Sequence, residues 1–99
     1  MSKHIKYPII VTQTVINSAK FNNLICAPHL KLNQYIGVDV LEDGYQIPHT
    51  AMMYETKKEA KKACDVHNTY LGFNRMQVYR KISESMQKSL KQNKNEQEN

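Results

Sequence analysis

The chain has 99 residues, of which 40% are hydrophobic and 23% charged, and it carries a formal net charge of +5. That length allows one hydrophobic core and not two, and the composition is too apolar for a wholly disordered chain. No apolar run approaches the roughly 20 residues that span a bilayer, and residues 1–8 carry charge without the apolar stretch of a secretory signal, so the expectation is a cytoplasmic protein with no membrane partner.

From Ile5 to Ile16 the chain is rich in β-branched residues, with Ile9, Val11 and Val15 on one face, and a strand is predicted there. Pro8 cannot donate to a ladder and so marks the start or an edge of that strand. Asn17 to Asn23 holds turn-prone residues, and the short apolar run Leu24–Ala27 ends at Pro28, giving a loose hairpin as the simplest reading. His29 to Asn33 fits either an extended or an irregular connection.

Tyr35–Leu41 and Tyr45–Tyr54 are two β-prone runs on either side of Glu42-Asp43-Gly44, and Asp-Gly in that setting predicts an antiparallel hairpin. Pro48 should break the second strand, bulge it or hold it at an edge. Gly37 marks a bulge or a close approach of another backbone.

At Thr56 the period changes. Thr56 and Glu59 form a capping-box pattern, and Ala60, Ala63, Cys64, His67, Tyr70 and Leu71 follow on one helical stripe. Gly72 suits the left-handed position that ends this helix, and Asn74 with Gln77 caps a second one. In that second helix Val78, Ile82, Met86 and Leu90 recur every four residues, so one face should pack. The connection is so short that a tight helical hairpin is expected. From Lys91 onward no apolar residue remains, and residues 91–99 read as a disordered polar tail.

Residues 1–55 hold four Lys/Arg against four Asp/Glu and residues 56–99 hold ten against five, so the whole positive excess lies in the helical half. Lys57, Lys58, Lys61, Lys62, Arg80, Lys81 and Lys88 make up the candidate binding surface. Such a surface can neutralise phosphates, or it can be the solvated face of helices built from good helix formers. With only two arginines in the chain, backbone contact fits better than base readout if nucleic acid is the partner. The two-residue connection Gly72-Phe73 is shorter than the turn of a helix-turn-helix. Tyr7, Tyr35, Tyr45 and Tyr54 lie on predicted strands, but the order of elements does not fit an RNA-stacking platform, and the rings are better read as bordering the core.

Four histidines and two cysteines offer metal-ligating atoms without ligand spacing, so no metal and no cofactor is expected. Cys64 and His67 lie one turn apart, yet on the apolar stripe, where a packed thiol and a hydrogen-bonded histidine fit better than a nucleophile and its base. Cys26 and Cys64 are expected as buried thiols rather than a disulfide.

The expectation is therefore one α+β domain over residues 1–90. A small antiparallel sheet of three to five strands (5–54) is followed by a C-terminal helical hairpin (56–90) packed on one face in two layers. For function it is a non-enzymatic binding or regulatory protein that modulates or inhibits a macromolecular partner, either a protein complex or a nucleic acid held by its backbone. A homodimer is compatible with the same features. In small size, basic end and lack of a chemical motif the chain resembles accessory proteins carried by phages and plasmids, a resemblance of general style that covers no aligned segment and assigns no residue.

Overall fold

A computed structural model describes residues 4–98, with side chains to residue 88. The elements run β1 (Lys6–Ile10), α1 (Gln13–Phe21), a 3₁₀ turn (Ala27–His29), β2 (Tyr35–Leu41), β3 (Gly44–Gln46), β4 (Met52–Tyr54), α2 (Lys57–Tyr70) and α3 (Arg75–Glu98). The sheet is antiparallel throughout and is followed by helices that pack on it, the α+β class expected from the sequence.

β2 is the centre of the sheet. Its residues 35–39 pair with β1 along one edge, and along the other edge it pairs with β3 through Asp39–Leu41 and with β4 through Tyr35–Gly37. β3 and β4 are thus two pieces of one interrupted strand. The interruption contains Pro48, which has no amide to donate to the ladder. The hairpin joining β2 to β3 places Glu42 and Asp43 in its loop, between Leu41 and Gly44.

The amino-terminal strand is shorter than its β-branched content suggests. It ends at Ile10, and Thr12 caps α1 by accepting a hydrogen bond from the Val15 amide at 3.3 Å. As a helix, residues 13–21 put Ile16 and Ala19 together in the core, a burial that outweighs the modest strand preference of Val15 and Ile16. Asn17 and Ser18 belong to α1, and the turn is confined to Asn22 and Asn23, with Asn23 left-handed at φ 53°. The expected hairpin over Leu24–Ala27 is replaced by the 3₁₀ turn, where the Cys26 amide donates to the His49 carbonyl at 3.3 Å.

Paired residues share a face of the sheet, and faces alternate along a strand. Tyr7, Ile9, Ile36, Val38 and Met53 fall on one face, where Val11, Ile16, Ala19, Ala27 and Leu30 complete the main core. Tyr7 and Tyr45 stack at the end of this face, with ring centroids 5.6 Å apart. Lys6, Gly37, Asp39 and Met52 fall on the other face, beneath α2. The sheet is therefore covered on both sides, and the expected two layers become three because α1 adds one.

Gly37 is a point of close approach. A Cβ there would lie 2.8 Å from Met52 Cε and 3.2 Å from Cys64 Sγ, so the missing side chain lets α2 sit close to the strand. α2 is capped as its sequence predicts, with the Glu59 amide donating to Thr56 Oγ1 at 3.2 Å. It ends with Gly72 left-handed at φ 94° and with the Phe73 amide donating to the Asn68 carbonyl. The Asn74 cap is reciprocal: Gln77 N–H donates to Asn74 Oδ1 at 2.8 Å, and Asn74 N–H donates to Gln77 Oε1 at 2.9 Å. α3 is described to Glu98, beyond the last apolar repeat at Leu90.

Candidate functional site

β1 is an edge strand. The Val40 amide donates to the Ile5 carbonyl and the Val11 amide to the Gln34 carbonyl, so the odd-numbered residues of β1 face β2, and Lys6 and Pro8 point their backbone groups outward. The Asn68 side chain of α2 meets that edge. Its Oδ1 accepts from the Lys6 amide at 2.7 Å and its Nδ2 donates to the Lys6 carbonyl at 3.0 Å, as a neighbouring strand's peptide would. Pro8, next along the edge, has no N–H to satisfy. Beneath α2, Lys6 Nζ pairs with Asp39 Oδ1 at 2.6 Å, each side chain 11% exposed.

α2 and α3 leave the Gly72–Asn74 turn in different directions. α2 lies along β1 and reaches β2 and β4, whereas α3 crosses the end of β2 and β3. Ser85 anchors α3 there, its hydroxyl donating to the Gly44 carbonyl at 2.9 Å, and Lys88 pairs with Glu42 at 2.6 Å. The expected tight hairpin is thus an open one, because each helix follows the piece of sheet it packs on rather than its neighbour. Between them lies a groove of about 720 Å³ with the outer edge of β1 at its floor.

The groove has an apolar lining and a basic rim. Pro8, Val66, Phe73, Val78, Tyr79 and Ile82 supply the apolar part. Val66 is 63% exposed and Tyr79 75%, so they offer apolar surface to solvent. Lys57, Lys61, Lys62 and Arg75 supply the cations, against Asp65 as the one carboxylate among the described lining residues. Lys81 lies over the Phe73 ring, 5.3 Å from its centroid.

Of the surface residues singled out in the sequence, Lys57, Lys61 and Lys62 come together on this rim. Lys58 and Arg80 are exposed outside it, Lys81 reaches it through Phe73, and Lys88 is held at the far end of the domain by Glu42. That pairing lowers the Glu42 carboxyl and raises the Lys88 ammonium, chiefly through their hydrogen bond. The sequence reading missed the role of Asn68, an isolated polar residue whose buried position is visible only from its helical spacing of four from Cys64. It also placed Val78 and Ile82 in a packed stripe, whereas both are half-buried against the groove and Ser85 takes the buried position on α3.

Burial pushes the Cys64 thiol up to about 11, against a partial lowering by Lys6, which leaves it a neutral thiol at neutral pH. The His67 ring contacts the His4 carbonyl through Nε2 at 3.3 Å. Cys26 and Cys64 are both buried thiols. Among the described residues no group of three His, Cys, Asp or Glu side chains is arranged to hold a metal ion, and no helix is long and apolar enough to cross a membrane. The chain matches no family model, and neither a curated protein nor a solved structure matches it.

Proposed function

We propose that this chain is a non-enzymatic binding protein that modulates or inhibits a macromolecular partner, and that the groove between α2 and α3 is its working surface. The observation that carries this reading is the joining of exposed apolar side chains with a predominantly basic rim: Val66 and Tyr79 stand in solvent beside Lys57, Lys61, Lys62 and Arg75, with Asp65 the one carboxylate among the described lining residues. Exposed apolar surface collected in a concave site costs solubility unless a partner covers it. The cations around it steer an acidic partner into place. The same four cations favour a second reading, in which a nucleic acid backbone lies along the rim and releases counterions as it binds.

The test is site-specific photo-crosslinking in cells that make the protein. A photoreactive residue at position 66 or 79 is expected to give discrete macromolecular adducts. The same residue at Phe21, which is exposed on the α1 side, should give none. Adducts at position 21 alone, or at none of the three, would remove the groove as the working surface.

A further inference from the structure

We infer that the groove's occupant is one face of an acidic amphipathic helix, about three turns long, supplied by a partner protein. The inference rests on the groove being the working surface. Three features specify the occupant.

The first is the floor. An extended segment entering the groove would add to β1 only if that edge offered hydrogen bonds. Asn68 already holds both the N–H and the C=O of Lys6, at 2.7 and 3.0 Å, and Pro8 has no N–H to give. Strand addition is therefore blocked at the base of the groove, which turns the choice toward a segment that satisfies its own backbone, as a helix laid in a groove does.

The second is length and repeat. The α2 wall runs from Lys57 to Thr69, which at the helical rise is about 18 Å, the length of about three turns. Along it Lys57 and Lys61 stand four residues apart. A helix laid beside α2 meets them with carboxylates at its own spacing of four.

The third is the chemistry of the lining. Val66, Val78 and Ile82 are aliphatic, and contribute most when covered by apolar side chains of a partner. A sugar-phosphate chain would leave them unused. Phe73, one of the rings in the lining, already has Lys81 over it. The rim takes acids and the lining takes Leu-like residues, so the matching segment carries Leu, Ile or Phe at positions i, i+4 and i+7, flanked by Glu or Asp.

The test uses the full chain and a fluorescein-labelled 14-residue peptide of that pattern, followed by anisotropy at low and at physiological salt. Two control peptides are used: one of the same composition scatters the apolar residues around the helix, and the other keeps the pattern but has a central residue replaced by proline. A 14-nucleotide single-stranded RNA is the fourth probe. The patterned peptide is expected to bind at least tenfold more tightly than either control. Val66→Asp, and the pair Lys61→Glu with Lys62→Glu, should each weaken it at least tenfold while circular dichroism stays unchanged. Equal binding of patterned and control peptides, no binding of the patterned peptide at low salt, or indifference to Val66→Asp would overturn the helical occupant. RNA binding that is lost on charge reversal, with no peptide binding, would also overturn it while leaving the groove intact. Failure of the groove itself is read separately, from adducts confined to Phe21.

Discussion

On the α1 side of the sheet, Ile36 and Val38 are wholly enclosed, with Ile16, Ala19 and Leu30 closing over them. On the α2 and α3 side the same strand presents Gly37 and Asp39, and the buried polar residues collect there: Asp39 with Lys6, Asn68 on the backbone of Lys6, and Ser85 on the carbonyl of Gly44. The apolar side is held by area removed from water, which is strong and indifferent to direction. The polar side also buries Ala60 and Cys64 of α2, and adds a few directed contacts, each weaker in net terms but specific in geometry. The first stabilises the fold; the second sets where two helices lie and so shapes the groove.

The sharpest way to break the comparison is to substitute at the two sides in turn. Ile36→Ala, on the enclosed side, should lower unfolding free energy by about 3 kcal/mol in urea titrations, the usual cost of a buried large-to-small change, while leaving affinity for the patterned peptide unchanged below the transition. Asn68→Ala should cost less, about 2 kcal/mol, because it strands both backbone groups of Lys6. It should also expose a pairing-competent edge, so light scattering is expected to show more self-association than in the parent chain. If Asn68→Ala were neutral, the polar side would be dispensable and the contrast wrong.

A smaller effect comes from Cys64. Below pH 9 both folded and unfolded chains keep the thiol proton. Between pH 9 and about 11 the unfolded chain gives it up first, so stability falls as pH rises through that window. By pH 10 the loss should be about 1.4 kcal/mol relative to pH 8, and smaller in Cys64→Ala. The smallest effect belongs to Lys88→Ala. Its bond to Glu42 lies at the surface, and thermal midpoints of the two proteins should coincide at physiological salt. Whatever the pair adds is present above the ordinary carboxylate value of 4.5 and lost as pH falls below it.

The two sides also differ in how far they could be read from the sequence. Local chemistry spoke clearly: Thr56 and Asn74 cap the helices expected of them, Glu42-Asp43-Gly44 turns the hairpin, and Pro48 divides the strand. The enclosed side was misread at α1, because Val15 and Ile16 carry strand preference while the evidence for helix lay in Thr12 as a cap and Ala19 as a distant partner for Ile36. On the open side, Lys57, Lys61 and Lys62 were legible as one face of α2. The groove beside them was not, since it arises from the angle between α2 and α3, and that angle is set by contacts such as Ser85 with Gly44, 41 positions away. A two-residue connection between helices fixes their order and leaves their angle open.

The central position of β2 bears on how the chain assembles. Every strand pair in the sheet includes β2, so no part of the sheet can form before residues 35–41 are in place. The local hairpin to β3 closes a short loop, whereas Asn68 must find Lys6 across 62 positions, and closing long loops is the slower step. Folding should therefore begin at the hairpin and finish when Asn68 reaches β1, so that the edge of the sheet stays open to other chains until the last long-range contact is made.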